Sequence, residues 1–119
     1  MHTGIIVDDA AIMRLRLREI LEKEFAIVGE ASDGDEAMTM FRQLAPDFLT
    51  LDITMPRVNG IETLKGLLAE HPAAKVVIVS AVGQKQIVFD ALGLGAKDFI
   101  VKPFDPERVM KAVRRLFAA

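Results

Sequence analysis

Short runs of β-branched and other apolar residues alternate along the chain with longer stretches whose apolar positions recur every three to four residues. This is the pattern of βαβ units around a parallel sheet. Ile5-Ile6-Val7 makes a first strand and stops at Asp8-Asp9. A helix then reads from Ala10 to Phe25, with Met13, Leu17, Ile20 and Leu21 as its buried stripe and Asp9 at the N-cap position. The second strand spans Ala26 to Ala31, and the second helix runs from Asp35 to Leu44, closed by Ala45-Pro46. Phe48 to Leu51 predicts a third strand ending at Asp52. Beyond a loop holding Pro56 and Asn59-Gly60, a third helix covers Ile61 to Glu70 and is stopped by His71-Pro72. Val76-Val77-Ile78-Val79 is apolar on both faces, which predicts a central strand covered by helices on each side. The fourth helix, Lys85 to Leu94, ends at Gly95 as a left-handed cap and leads to a fifth strand, Asp98 to Val101. Asp105-Pro106-Glu107 opens the last helix with a capping acid, a first-position proline and an early carboxylate.

Five such pairs in 119 residues leave about 24 residues for each, enough for a strand, a helix and two tight turns. A single domain over residues 1–119 with no effector module is therefore expected. Right-handed crossovers with helices on both faces give an open, doubly wound α/β sheet. The charge balance, 15 basic against 17 acidic residues, and an apolar share of 51% describe a folded chain rather than a disordered one. The absence of cysteine excludes disulfides, thiolate metal sites and cysteine nucleophiles, and fits a cytoplasmic protein. Without a basic stripe no nucleic-acid partner is expected, and without an apolar run of about 20 residues no membrane insertion is expected. Arg14, Arg16 and Arg18, the one basic cluster, read as a solvated helix face.

In folds of this kind ligands bind beyond the carboxyl ends of the strands, where the strand order reverses. Strand one ends in Asp8-Asp9, strand three in Asp52, strand four in Ser80 and strand five in Lys102-Pro103. Three carboxylates on one rim repel each other and call for a cation, and an all-oxygen ligand set suits Mg2+. With the metal bound, a carboxylate can act as nucleophile toward phosphorus, and Asp52, at the end of the middle strand, is the best placed. Lys102 and Ser80 would then meet phosphoryl oxygens. Each residue also has an ordinary explanation: an N-cap for Asp9, a turn acid for Asp8, a loop acid for Asp52, a strand-end hydroxyl for Ser80. Their joint occurrence at four strand ends weighs against coincidence.

Val7-Asp8-Asp9, Leu51-Asp52-Ile53-Thr54-Met55-Pro56 with Asn59-Gly60, Val79-Ser80-Ala81, and Gly95 through Phe104 around Lys102-Pro103 together resemble the receiver domain of two-component response regulators. Within that family the likeness is greatest to the stand-alone chemotaxis regulators of the CheY type. The resemblance implies a (βα)5 flavodoxin-like sheet of strand order 2-1-3-4-5. It also implies that Asp52 takes a phosphoryl group from a CheA-like histidine kinase, with Mg2+ held by Asp9, Asp52 and the backbone carbonyl of Thr54 and by Asp8 through a water. Lys102 would pair with Asp52 before phosphorylation, and the Lys102-Pro103 bond would be cis. Ser80 and Phe99 would form the switch, acting on a helix 4, strand 5 and helix 5 surface that binds an output partner such as a flagellar motor switch protein, or a phosphatase. The protein would be a phosphoacceptor rather than a turnover enzyme.

Phenylalanine at position 99, where tyrosine is usual, keeps steric coupling but has no hydroxyl to offer. Phe89 reads as an edge-of-core ring, with a partner contact as the alternative. Thr54 and Val82, two beyond Asp52 and Ser80, carry neither acid nor amide to orient water, which predicts slow loss of the phosphoryl group. Competing readings fare less well. A haloacid-dehalogenase-like phosphatase expects an acid where Thr54 stands, and a flavodoxin-like carrier would not place Asp8-Asp9 against a phosphate. An interaction module without chemistry leaves the acid, hydroxyl and lysine set unexplained, and a stand-alone receiver of a phosphorelay outside chemotaxis stays open.

Overall fold

The computed structural model of the chain describes residues 1–54 and 60–118. The strands β1 (Thr3–Val7), β2 (Ala26–Ala31), β3 (Phe48–Asp52), β4 (Val76–Ala81) and β5 (Asp98–Lys102) form one parallel sheet in the order β2-β1-β3-β4-β5. Between and after them run α1 (Ala11–Leu21), α2 (Gly34–Leu44), α3 (Gly60–Glu70), α4 (Lys85–Leu94) and α5 (Pro106–Leu116). The doubly wound architecture expected from the alternating pattern is therefore present, and the strand order is the one the family resemblance implies.

Period-two alternation along the strands divides the core in two. Ile5, Val7, Leu49, Leu51, Val76 and Ile78 face one way and pack on α2, α3 and α4 through Phe41, Leu64, Leu67 and Val88. Ile6, Phe48, Val77, Val79 and Ile100 face the other way and meet Leu17 and Leu21 of α1 and Val109, Met110 and Val113 of α5. All five residues of β3 are buried, because helices cover both its faces.

Helix ends follow their local chemistry. Asp105 Oδ1 accepts from the Glu107 amide at 3.2 Å ahead of Pro106, and Asp33 Oδ1 accepts from the Glu36 amide at 2.8 Å to start α2. Gly95 ends α4 at φ 126°, a conformation open to glycine and strained for other residues. Two expectations fail in α1. The helix stops at Leu21 rather than Phe25; a turn of charged residues follows, and Phe25 folds back into the core. Its N-cap is Ala10, not Asp9, and the Ala10 amide is taken by Asp8 Oδ1 at 2.9 Å.

The two ends of the described chain meet at the amino edge of the sheet. The His2 and Phe117 rings stack with centroids 3.7 Å apart, and the Thr3 amide donates to Asp47 Oδ2 at 2.7 Å. No helix among the described residues is long and apolar enough to cross a membrane.

Candidate metal and phosphoryl site

Strand order reverses between β1 and β3, since the chain leaves β1 toward β2 and returns past it to β3. The crevice at that point collects the acids. Oxygens of Asp8, Asp9 and Asp52 lie within 4.8 Å of one another. Asp8 and Asp52 are 0% and 2% exposed, whereas Asp9 stands open to solvent.

Lys102, at the end of β5, reaches across to both buried acids. Its Nζ lies 3.2 Å from Asp52 Oδ2, to which it donates, and 3.0 Å from Asp8 Oδ2. Asp52 Oδ1 is clasped instead by Thr54, whose amide and hydroxyl donate at 2.9 and 2.6 Å. Asp8 Oδ1 accepts from Ala10, while Asp8 Oδ2 has the Lys102 ammonium as its ion-pair partner among the described residues. Burial pushes the Asp8 carboxyl above its ordinary value; the Ala10 amide and Lys102 oppose this, and the charge of Asp52 adds to it. Burial would by itself depress the Lys102 ammonium, but its contacts with Asp8 and Asp52 outweigh this and raise it. One ammonium thus serves two buried carboxylates. Two buried carboxylates sharing one ammonium, with a third acid beside them in an all-oxygen cluster, are the donor chemistry of a hard dication such as Mg2+.

The backbone behind Asp52 is held tightly. A Cβ built on Gly60, the first residue of α3, would stand 2.3 Å from Ile53 Cα and 2.9 Å from the Asp52 carbonyl, so only glycine lets α3 seat against the end of β3. Met55, Pro56 and Asn59 of the same motif lie outside the described residues.

Ser80 is buried at the end of β4, and its Oγ donates to the Ile100 carbonyl at 3.5 Å, not to any of the carboxylates. Next to it the Ala81 amide donates to Gln84 Oε1 at 2.6 Å, which fastens the β4–α4 loop. Phe99 is half-buried on β5, with the Arg108 guanidinium 5.6 Å from its ring centroid and donating to the Phe99 carbonyl at 2.7 Å. The Lys102-Pro103 bond is cis. Phe89 is 67% exposed, which overturns its edge-of-core reading: α4 turns its buried stripe, Val88 and Ala91, inward and leaves Phe89 on the rim of an apolar groove of about 460 Å³. Val82 and Phe99 line the same groove.

Arg14 and Arg18 correct a further expectation. They do not form a solvated face: Arg14 Nε and Arg18 Nε hold the two oxygens of Glu30 on β2 at 3.1 and 2.7 Å, and only Arg16 is exposed. These contacts, with Gln84 and Arg108, were missed because nothing in local spacing links helix α1 to Glu30. The Thr54 clasp had a signal in the Asp-x-Thr pattern of a side-chain-capped turn.

The response regulator receiver domain family matches residues 5–114. Protein CcdB of Bacillus subtilis is 50% identical over 117 residues, 98% of each chain. Chemotaxis protein CheY of Thermotoga maritima is 47% identical over 113 residues, 94% of each. Among solved structures, the crystal structure of the CheX–CheY–BeF3–Mg2+ complex from Borrelia burgdorferi matches with a TM-score of 0.94 at 38% identity, over 99% of this chain and 90% of that one. Sheet order, the acid crevice beside β1 and β3 and this agreement along nearly the whole length lead to one assignment: the chain belongs to the response regulator receiver domain family.

Proposed function

We propose that the protein is a phosphorylation-activated switch of a two-component system in which Asp52 accepts a phosphoryl group from the phosphohistidine of a histidine kinase. One observation carries this reading: a single ammonium, Lys102 Nζ, stands 3.0 and 3.2 Å from two buried carboxylates with a third acid beside them. That arrangement leaves excess negative charge, which an incoming phosphoryl group meets only after a cation is added.

Asp9, Asp52 and the Thr54 carbonyl would hold Mg2+, with Asp8 acting through a water; when bound, the ion neutralises the acids and the charge of the transferring group. An Asp52 oxygen forms the new O–P bond as the P–N bond to the donor imidazole breaks, and the imidazole nitrogen leaves with the electron pair. Lys102 then exchanges its carboxylate partners for a phosphoryl oxygen. Ser80 spends its hydroxyl on a long 3.5 Å contact, so turning toward the phosphoryl group costs it little. The β4–α4 loop and Phe99 follow Ser80, reshaping the groove between α4 and β5.

The groove, with exposed Phe89 and Val82 at its edge, is the surface proposed to bind the output partner. The relatives named chemotaxis proteins support a chemotaxis role with a CheA-like donor, a flagellar motor switch protein or a phosphatase as partner, and a cytoplasmic location. The Bacillus subtilis relative at 50% identity bears a name outside chemotaxis, which favours a phosphorelay of another kind as the second reading.

Incubation with acetyl phosphate, with and without Mg2+, followed by intact mass tests the proposal. A single phosphoryl gain that needs Mg2+, is removed by base and is lost in Asp52→Asn is expected. No gain, or repeated turnover of phosphate esters, overturns it.

A further inference from the structure

Asp8 is held from outside the acid cluster by a residue the phosphoryl chemistry does not use. Arg14 lies on α1, and its side chain is only 19% exposed. Its Nη1 donates to the Asp8 carbonyl at 2.6 Å while Nε meets Glu30 Oε1 on β2 at 3.1 Å. Arg18, one turn further along α1, takes the other oxygen of Glu30 at 2.7 Å, so Glu30 is the anchor of a two-arginine clasp. Asp8 is consequently fixed at three atoms. Its amide donates to the Ala31 carbonyl at 3.0 Å, its own carbonyl accepts from Arg14, and Oδ1 accepts from Ala10. Oδ2 faces the Lys102 ammonium at 3.0 Å.

A guanidinium beside a site for a dication has the wrong sign of charge to attract it. What it can supply is shape: a planar fork whose donors sit at fixed angles and can tie a turn carbonyl to a carboxylate on a neighbouring strand. We propose that Arg14, locked by Glu30 and Arg18, is a positioning residue for the cation site, setting the Asp8-Asp9 turn so that both carboxylates face Asp52 before the ion arrives. This inference rests on the receiver reading above.

Charge and position predict opposite results. Removing a nearby cation strengthens Mg2+ binding if charge is all that matters, and weakens it if Arg14 holds the ligands in place. Mg2+ is titrated into the wild-type chain, Arg14→Met, Arg14→Lys and, as a control that removes a charge from the same helix, Arg16→Met. Binding is read from the amide NMR shifts of Asp9 and Thr54 and from the Mg2+-dependent rise in melting temperature. Loss of a residue supporting metal ligands typically costs at least about ten-fold in affinity, and an increase of that size in the Mg2+ Kd is expected for Arg14→Met. Arg14→Lys keeps the charge without the fork and should also bind several-fold more weakly, while Arg16→Met stays within two-fold of wild type or binds slightly tighter.

Arg14→Met and Arg14→Lys that bind Mg2+ as tightly as wild type, or more tightly, overturn the proposal even if both melt earlier. If Arg14→Met does not fold, Arg14→Lys decides by the same criterion. A wild-type chain that binds no Mg2+ overturns the receiver reading and this inference together, so the two failures are told apart.

Discussion

Replacing Asp8 by asparagine should stabilise the metal-free protein while abolishing its response to Mg2+. At an effective dielectric of about 20, like charges at 4.8 Å, the widest spacing within the acid cluster, repel by about 3.5 kcal/mol and opposite charges 3.0 Å apart attract by about 5.5 kcal/mol. Asp8 feels the repulsion of buried Asp52 in full and that of exposed Asp9 about half as strongly, so on the same footing its Coulomb terms cancel to within about 1 kcal/mol. What decides the sign is then the cost of keeping a carboxylate dry, several kcal/mol for a buried ion. Asparagine keeps the oxygen that accepts from Ala10 but sets an amide donor near Lys102, which offsets part of the gain. The expected net effect is about 1–3 kcal/mol in favour of Asp8→Asn, a rise of roughly 4 °C in melting temperature per kcal/mol for a domain of this size. Thermal unfolding in EDTA and in saturating Mg2+ measures both halves. Wild type should gain about 2.7 kcal/mol at a hundred times its Kd, and the variant should gain little. A lower melting temperature for Asp8→Asn in EDTA would show that the Lys102–Asp8 attraction outweighs desolvation and would refute the reasoning.

The same imbalance sets a pH dependence. Because the folded Asp8 carboxyl titrates above its ordinary 3.8, the folded state binds the extra proton between that pH and its raised value, and this contribution to stability falls as pH rises through the window. Urea unfolding in EDTA should show wild type and Asp8→Asn drawing together as pH drops toward 3.8, and a gap that widened instead would count against it. Thr54→Asn with Val82→Glu should shorten the lifetime of the phosphorylated protein, followed by phosphate release; a wild-type lifetime no longer than the variant's would contradict the slow-loss expectation. Gly60→Ala should cost about 1–3 kcal/mol, measured by urea midpoint, because the new Cβ meets backbone that cannot move aside. Phe89→Ala should stay within about 0.5 kcal/mol of wild type, as befits an exposed ring, and a loss of core size would show it packs inward.

The sequence made the backbone plan legible because apolar periodicity reports burial directly. β2 and α4 fall where the pattern put them, and the other strands differ by one or two residues at their ends. The site was legible as far as strand ends go, since topology carries Asp8, Asp9, Asp52 and Lys102 to one rim. What could not be read were partners distant in sequence. Arg14 looked like one of three equivalent surface charges, yet Glu30, sixteen positions away, singles it out and leaves Arg16 in water. Asp9 looked like a cap because the residue before a helix often is one, but Asp8 reached the Ala10 amide first. Phe89 turned outward since Val88 and Ala91 already fill the inner face of α4.

The stacked rings of His2 and Phe117 have a use for engineering the molecule. They hold the first and last described turns of the chain side by side at the amino edge of the sheet, with roughly 16 Å of strand between them and the carboxylates. A few flexible residues joining the two ends would close the chain into a ring there, and fresh termini opened in another loop of the same edge would give a circular permutant with its acid crevice intact. A fluorophore attached beside His2 or Phe117 would likewise point away from the acid crevice.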